Sequence, residues 1–487
     1  MPRRSLRTGL SIAAAVLLAF ASHGYHFGVS DQKLYLPAAL RAVDPALFPH
    51  DAAFFTTEAR FTLFDELVAG VLRAGVPLDV AMFAGQVVAI TLVAAGARRV
   101  LTLAGCTAEA AWAGVVLLML VLPSPVAGTR IGVLEPYLTP RGLAIGLALW
   151  AFALAIEGRP LAVVLLAAAG ALHPLTGLWS AGHVLAQAVD RRWRRPLRVA
   201  GAAAVLLAAI GCVPLLVPTL DESTYWQTAL APESFGARYP WRWPWYEWAG
   251  VVAPIALVWL VARDAPSQAG VRIAHRLTLS ALVGVVVALL VTVAPDRQWP
   301  LQPMRQLHLV YVVVIALAGA WIETRLLRGR LRPRLVAAVL VIGSVAAVQQ
   351  RYPSSGYVDW PGRLPDNAYV RAFDWIRLHT PTDARMAIDP FYLRHPGPDW
   401  HAARVFTRRS MLTDAVHDLA PAAMSPRLAA RWTAEQRALA GWRAFQRADF
   451  AHLGRAFEVS WVVVAAAQAP DLDCPFAEPT VRVCRVP

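Results

Sequence analysis

The residues that could carry chemistry are densest in segment 23–51, HGYHFGVSDQKLYLPAALRAVDPALFPHD, which follows an apolar stretch. Its ionisable residues include His23, His26, Asp31, Lys33, Asp44, His50 and Asp51. A carboxylate here can act as a general base toward a hydroxyl group, or hold a divalent cation that neutralises a phosphate leaving group. Asp31 is the candidate for that role, whereas Asp44 and Asp51, beside a proline or a helix start, are read as loop residues and caps.

Lys33 is the only lysine among 46 basic residues. A role in binding substrate and an arginine-rich codon bias both account for it, so both interpretations stay open.

Several basic residues stand at the ends of apolar segments rather than in their middles. In EPYLTPRGLAIGL, Arg141 follows Glu135 and Tyr137, and in RQWPLQPMRQLHLVYV, Arg305 precedes His308. The rigid fork of a guanidinium group suits the oxygens of a lipid phosphate. The alternative is an arginine at the membrane boundary that extends to the headgroups. His173 in GALHPLTGLW is a candidate ligand of the same kind or a hydrogen-bonded residue at a helix end.

Aromatic residues crowd the segment STYWQTALAPESFGARYPWRWPWYEW, which contains Trp243. Such residues form the aromatic belt at a membrane interface, or line a groove for a sugar or an isoprenoid chain. The sequence does not separate these interpretations, and Trp243 is kept as a candidate for substrate binding.

The elements that must position these residues are membrane helices. Of the 487 residues 57% are apolar and only 16% are charged, and apolar blocks of about 15 to 22 residues recur almost throughout the chain. This composition excludes an ordinary soluble enzyme and predicts a polytopic membrane protein. Hydropathy places eleven spans, at residues 9–23, 78–97, 110–123, 138–156, 160–174, 175–189, 197–218, 248–262, 277–294, 304–322 and 335–349. Residues 61–76 are predicted to be an amphipathic segment that lies in the membrane interface.

The charges of the loops predict an orientation. The loops on the same side as the amino terminus hold nineteen arginines and five acidic residues, and this surplus equals the formal net charge of +14. Because arginine-rich short loops resist translocation, these loops are predicted to be cytoplasmic. Nucleic acid is therefore excluded as the reason for the charge. The first apolar stretch also fits a cleavable signal peptide, and we favour a retained helix.

The predicted fold is mainly α: a transmembrane helical bundle of about 11 helices and a small exterior α/β domain. Residues 1–349 form the transmembrane domain, with exterior loops 24–60, 124–137 and 219–247, and residues 350–487 form the exterior domain. In that domain, Asp366 is predicted to cap a helix over DNAYVRAFDWIRLHTP. Strands are predicted at ARMAIDPFY, ARVFTRRSML, WVVVAAA and VRVCRV, with helix at 426–448 between them. Cys474 and Cys484 could form a disulfide in an oxidising compartment.

The arrangement resembles the GT-C class of membrane glycosyltransferases, in particular bacterial relatives of that class. The resemblance is carried by the loop with Ser30-Asp31-Gln32 after the first helix, and by the segments YLTPRGLAIGL, LQPMRQLHL and AFDWIRLHTPTDARMAIDP. It implies a multi-pass protein of the bacterial inner membrane, with a cytoplasmic amino terminus and a periplasmic carboxyl-terminal domain. It also implies a lipid-linked sugar donor and an acidic residue in the first exterior loop. That loop has no Asp-Asp, Asp-Glu or Asp-x-Asp motif, so the role comes to Asp31 by position.

Two further functions stay open beside sugar transfer from a polyprenyl-phosphate donor. One is a transporter or flippase for a lipid-linked or anionic molecule, although the apolar spans have their charges at the ends rather than near the midplane. The other is a membrane scaffold without turnover. A requirement for a divalent cation, Mg²⁺ or Mn²⁺, also stays open, with Asp31 as the ligand if there is one. Membrane lipids are expected partners, and the sequence does not give the oligomeric state.

Overall fold

The computed structural model describes residues 2–188, 240, 243–292, 302–327, 333–422, 425–468 and 471–487. The chain is mainly helical, with a small sheet in its carboxyl-terminal part. Of the described residues, 2–24 and 84–347 form one compact unit, and 25–83 and 348–487 form a second. This grouping differs from the predicted division into 1–349 and 350–487, because the segment that contains Asp31 packs with the carboxyl-terminal residues.

The α-helices begin and end as follows. They are α1 (Pro2–His23), α2 (Gln32–Val43), α3 (Ala53–Ala59), α4 (Phe64–Arg73), α5 (Leu78–Leu103), α6 (Ala108–Leu120), α7 (Pro140–Ile156), α8 (Leu161–Leu172), α9 (Pro174–Ala188), α10 (Trp245–Arg263), α11 (Gln268–Thr292), α12 (Leu307–Ile322), α13 (Pro333–Arg351), α14 (Ala368–His379), α15 (Ala403–Thr407), α16 (Leu419–Ala422), α17 (Pro426–Ala438) and α18 (Arg447–Phe457). Short 3₁₀ helices occur at Pro303–Gln306, Tyr392–Arg394 and Trp442–Ala444, and a π-helical turn at Glu323–Leu327.

Ten of the eleven predicted spans coincide with helices, and the predicted span 197–218 lies outside the described residues. Within the described ranges, four helical segments are long and apolar enough to cross a membrane: Leu78–Leu103, Trp245–Arg263, Gln268–Leu290 and Pro303–Arg325. Other apolar helices, such as α6 and α8, are shorter. The structure therefore indicates a membrane protein, but eleven spans are not confirmed. The amphipathic segment predicted at 61–76 contains α4.

Close helix packing in the first unit depends on glycine. Helix α6 packs against α12, and Gly114 of α6 faces Gly319 of α12. A Cβ atom added at Gly319 would lie 2.8 Å from the Ala113 carbonyl oxygen, from Cα of Gly114 and from Cβ of Leu117. The missing side chains let the two backbones approach, as small residues do between membrane helices.

The second unit contains a five-stranded sheet. Its strands are β3 (Arg385–Ile388), β4 (Ser410–Met411), β5 (Trp461–Ala465), β6 (Phe476–Ala477) and β7 (Val481–Arg485), following β1 (Pro125–Val126) and β2 (Ile131–Gly132) of the first unit. The strand order is β4-β3-β5-β7-β6. Strand β3 runs parallel to β4 and β5, whereas β7 runs antiparallel to β5 and β6. The carboxyl ends of β3, β4 and β5 therefore share one edge of the sheet.

Two local predictions for this unit were wrong. The predicted strand ARVFTRRSML is α15 followed by the short strand β4, and Arg408 between them has a left-handed φ of 51° that ends the helix. Helix α14 is capped by Asn367 rather than Asp366, since the Asn367 side chain accepts hydrogen bonds from the N–H groups of Tyr369 and Val370. The other predicted strands contain β3, β5 and β7, and Cys474 is disulfide-bonded to Cys484.

Replacement of Gly319 by leucine should weaken the contact between α6 and α12. Overpacking of this kind costs about 1–3 kcal/mol, so we expect a lower unfolding temperature of the purified protein in detergent. Gly343→Leu is the matched control, because a Cβ atom at Gly343 of α13 has no atom within 4 Å. Equal unfolding temperatures for the two variants would contradict this account of the packing.

Candidate functional site

The candidate residues fall into two groups, one in each unit. Asp31 and Lys33 belong to the second unit. The candidates in the first unit are Tyr137, Arg141, His173, Trp243, Arg305 and His308. Each group has its own surroundings and its own chemistry.

Arg141 lies in the first turn of α7 and forms a buried ion pair. Thr139 caps this helix by accepting a hydrogen bond from the N–H of Gly142, and Pro140 takes the first helical position, where a missing N–H costs little. A terminal nitrogen of Arg141 donates to Oε1 of Glu135 at 2.7 Å, and both side chains are buried. Because buried charges need such partners, Glu135 holds the guanidinium at this helix end.

Arg305 and His173 meet through a guanidinium nitrogen and an imidazole nitrogen. Nη1 of Arg305 lies 3.1 Å from Nε2 of His173. On the other side of the ring, Nδ1 accepts a hydrogen bond from the N–H of Thr176 at 3.1 Å and lies 2.9 Å from the Thr176 hydroxyl. The hydrogen bond from the Thr176 N–H favours the neutral tautomer with its proton on Nε2, in which Nε2 and Nη1 of Arg305 are both donors. An anionic oxygen within reach of both groups would satisfy this contact.

His308 completes this group in the first unit. It lies in the first turn of α12, is buried, and its Nε2 donates to the carbonyl oxygen of Val133 at 2.7 Å. Arg141, Arg305 and His308 all lie near enough to His173 to interact with it electrostatically. The structure thus brings four of the predicted substrate-binding residues together, and we call Arg141, His173, Arg305 and His308 the arginine–histidine group.

The aromatic candidates are part of the packing of the same unit. Tyr137 is buried in the loop before α7. Trp243 is also buried, and its ring lies 5.2 Å from that of Trp248. Most of the predicted aromatic loop 219–247 lies outside the described residues.

His183 is a buried polar residue that the sequence analysis missed. It lies in α9, with Nδ1 2.8 Å from the Ser280 hydroxyl and Nε2 2.9 Å from the carbonyl oxygen of Gln306. Gln306 adjoins Arg305, so this contact fixes the short helix that carries Arg305. The sequence does contain one indication of it, a lone histidine within an apolar helix. In membrane proteins an ionisable residue at such a position usually has a hydrogen-bonding or charged partner.

Asp31 stands at the start of α2 in the second unit, next to strained backbone. Ser30 has a φ of 51°, and Trp400 in the segment opposite has a φ of 66°. The two segments pair through a hydrogen bond of 2.9 Å from the N–H of Ser30 to the carbonyl oxygen of Trp400. The left-handed region is costly for residues other than glycine and clusters at functional sites. Gly28 approaches the same loops closely, since a Cβ there would lie 2.5 Å from the Phe406 ring.

His417 is an ionisable neighbour of Asp31. Its Nε2 lies 3.6 Å from Oδ1 of Asp31, whose side chain is 29% exposed. Burial, together with the positive charge of Lys33, lowers the pKa of His417 to about 4. The imidazole is therefore neutral near pH 7. No local pattern in the sequence points to His417, because 386 residues separate it from Asp31.

Lys33 lies in the interior of the second unit. Its ammonium group contacts the carboxylate of Asp414 and lies 3.5 Å from Asp418. Arg404 lies beside it, donating from Nε to Asp51 at 2.6 Å and from both terminal nitrogens to Asp418 at 2.7 and 2.9 Å. All five side chains are buried. We call Lys33, Asp51, Arg404, Asp414 and Asp418 the buried ion cluster, and this geometry favours an internal ion pair for Lys33 over direct contact with a substrate.

Burial and the neighbouring charges both shift the pKa values of the residues in this cluster. Burial alone would raise the pKa of Asp418, but the neighbouring Arg404 and Lys33 outweigh it and lower that pKa. Burial likewise opposes the charge of Arg404, and the carboxylates of Asp418 and Asp51 raise its pKa. Asp418 and Arg404 are therefore ionised near neutral pH, whereas burial lowers the pKa of Lys33 to about 7.

A second buried group surrounds Asp359. Burial would raise the pKa of this carboxylate, but the imidazoles of His26 and His401, each 3.7 Å from Oδ2, outweigh it and hold the pKa at about 2. The N–H of Phe27 also donates to the carboxylate at 2.9 Å. This contact attaches the segment before Asp31 to the carboxyl-terminal part of the chain.

The described part of the chain contains no group of three or more His, Cys, Asp or Glu residues that could hold a metal ion. Asp31 lies beside the imidazole of His417.

The comparisons with known proteins give no family. No family model matches the sequence, and no curated protein matches it. Function is therefore inferred from the side chains themselves.

Replacement of Lys33 by methionine should destabilise the second unit strongly. Removal of one partner from a buried ion pair costs about 3–5 kcal/mol, because the remaining carboxylates lose their counter-charge. We expect a clearly lower unfolding temperature and faster proteolysis of the carboxyl-terminal part. Arg455→Met, which removes an exposed cation from α18, should change neither quantity. A Lys33→Met variant as stable as wild type would show that the buried ion cluster does not hold this unit together.

Proposed function

We propose that the chain is a membrane glycosyltransferase that transfers a sugar from a polyprenyl-phosphate donor on the exterior face of the bacterial inner membrane. The observation that carries this proposal is the contact between the partly buried Arg305 and the buried His173, two hydrogen-bond donors in an apolar helical unit. Donors that face each other in such surroundings are suited to bind an anionic oxygen. A lipid-linked phosphate provides that oxygen together with an apolar chain.

The arginine–histidine group would bind and stabilise the phosphate. Displacement at the anomeric carbon breaks the bond from that carbon to a phosphate oxygen, and the electron pair leaves with the phosphate. Positive charge and N–H donors directed at that oxygen stabilise the leaving group. Glu135 neutralises much of the charge of Arg141. Arg305 and the Nε2–H of His173 are therefore the principal donors in this proposal.

Asp31 would be the general base. Its carboxylate is partly exposed, unlike those of the buried ion cluster, so an acceptor hydroxyl can reach it. As the hydroxyl oxygen bonds to the anomeric carbon, its proton passes to Asp31. A base held in position contributes about 10²- to 10⁴-fold to the rate of such a step.

The membrane helices and the disulfide support the proposed location. The four long apolar segments indicate a membrane protein, and the loop charges favour a cytoplasmic amino terminus. The disulfide between Cys474 and Cys484 is of a kind that persists in an oxidising compartment, as the periplasm is. We therefore propose that residues 350–487 are periplasmic.

The test of this function is sugar transfer by membranes that contain the protein, with labelled polyprenyl-phosphate sugars as donors. Asp31→Asn should lower kcat by about 10²- to 10⁴-fold. Arg305→Ala should lower kcat/KM for the donor by about 10-fold or more, because it removes a hydrogen bond to a charged oxygen. The matched controls are Asp44→Asn and Arg272→Ala, which alter exposed residues and should leave transfer unchanged.

Two results would contradict the proposal. Transfer that is indifferent to both Asp31→Asn and Arg305→Ala would remove the assigned residues. An absence of transfer from every donor, combined with movement of a labelled lipid across the membrane of proteoliposomes, would favour a flippase instead.

The proposed orientation is tested with cysteine labelling. Cys106 adjoins the end of α5 in a loop that we assign to the cytoplasm. In a Cys212→Ser background, a membrane-impermeant maleimide should label Cys106 only after permeabilisation, whereas an added Arg455→Cys should be labelled in intact spheroplasts. Labelling of Cys106 before permeabilisation would reverse the orientation.

A further inference from the structure

The imidazole of His417 is buried and faces the carboxylate of Asp31. Nδ1 is buried and forms no hydrogen bond with any residue in the described ranges. Nε2 faces Oδ1 of Asp31 at 3.6 Å, slightly longer than a hydrogen bond. Because the ionised carboxylate is an acceptor, the neutral ring is expected to carry its proton on Nε2. Contacts of this length in a ligand-free site commonly shorten when substrate binds.

The position of His417 follows from the sheet. Strand β4 ends at Met411, and the chain continues through Asp414 to His417 at the edge where the parallel strands end. In open α/β sheets this edge is where ligands bind. Asp414 accepts hydrogen bonds from the N–H groups of Val416 and His417, each at 2.7 Å, so the turn that carries the imidazole is fixed.

Charged groups face His417 from several elements. Asp31 and Lys33 come from the start of α2, Arg394 from the 3₁₀ helix after β3, and Asp418 from the adjoining residue. Lys33 is already paired with Asp414 and Asp418. The ring of Trp400 stands edge-on to the imidazole at 6.3 Å. Asp31 is therefore the carboxylate to which Nε2 of His417 can donate a hydrogen bond.

We propose that His417 is a positioning residue for the base Asp31, donating its Nε2–H to Oδ1 so that the other carboxylate oxygen faces the acceptor hydroxyl. This inference rests on the proposed function of Asp31. The imidazole neither gains nor loses a proton during the transfer, since the hydroxyl proton ends on Asp31. A neutral donor orients the carboxylate without the full positive charge that would weaken it as a base.

Burial makes this role compatible with neutral pH. Since the pKa of His417 is lowered to about 4, the imidazole is uncharged over the range in which a carboxylate base works. A cation at the same place would bind the carboxylate more tightly and make it a poorer proton acceptor. Histidine at position 417 therefore supplies orientation without charge.

The test compares His417→Leu, which has no donor, with His417→Gln, whose amide N–H lies near the position of Nε2. We expect His417→Leu to lower kcat by about 10-fold with little change in KM, as expected for part of the contribution of a positioned base. The acid limb of its kcat/KM profile should move to higher pH by about one unit, because the carboxylate loses a donor that favours its charged form. His417→Gln should recover most of the rate and the position of the acid limb.

A second measurement does not depend on transfer. Carbodiimide labelling of Asp31, followed by mass spectrometry across a pH series, reports the protonation of the carboxylate directly. Its midpoint should rise in His417→Leu and return toward wild type in His417→Gln. The unfolding temperature of each variant separates a loss of folding from a loss of the hydrogen bond.

The outcomes separate this inference from the proposed function. If Asp31→Asn abolishes transfer but His417→Leu keeps the wild-type kcat, acid limb and labelling midpoint, the role of His417 is wrong and that of Asp31 stands. If Asp31→Asn transfers sugar normally while the labelling midpoint shifts in His417→Leu, the hydrogen bond exists but the proposed base is wrong, and the positioning role is overturned with it. Equal defects in the Leu and Gln variants would also overturn it.

Discussion

The second unit depends on two buried cations held among three buried carboxylates. Arg404 spans Asp51 and Asp418, and Lys33 lies against Asp414 and Asp418. Taking such charges out of water is costly unless each has its partners, so the cluster forms only when all its members come together. Two members come from the early part of the chain and three from positions 404–418. The early segment is thus tied to the carboxyl-terminal part by electrostatics as well as by apolar packing.

This constraint places Asp31. Lys33 is two residues along the chain, on the first turn of α2, and its burial fixes the start of that helix. The backbone before the helix must then turn sharply, and Ser30 takes up a left-handed conformation that pairs with Trp400. Strain of this kind persists only where the surroundings determine the conformation. The ion cluster, the paired segments and the donor contact to Asp359 together provide those surroundings, which leave Asp31 partly exposed beside His417.

Local signals in the sequence were sufficient for some elements and misleading for others. The apolar spacing around Phe373 predicts α14, and the run WVVVAAA predicts β5, because helical and strand periods are properties of the segment itself. The segment ARVFTRRSML reads as a strand by composition, yet Arg404 must reach both Asp51 and Asp418, and the backbone there is helical. Hydropathy located the apolar helices, but it did not determine how many of them are long enough to cross the membrane. At about 1.5 Å per residue, the 13 residues of α6 extend about 20 Å, less than the roughly 30 Å of a bilayer core.

The sequence likewise predicted only some of the residues of the candidate site. The arginine–histidine group could be anticipated, since its members stand at the ends of apolar segments, where ionisable residues have to be accounted for. The contact between Asp31 and His417 could not be anticipated, because it joins residues 386 positions apart and no local pattern encodes that contact.

The presence of a lysine at position 33 has a physical explanation that composition alone did not provide. Arg404 already occupies both oxygens of Asp418 with its planar fork, and the ammonium group of Lys33 contacts Asp414 and lies 3.5 Å from Asp418. A second guanidinium would need a wider space and other acceptors for its five N–H donors. The one lysine of an arginine-rich chain therefore stands where the geometry of the charge, and not only its sign, decides the residue.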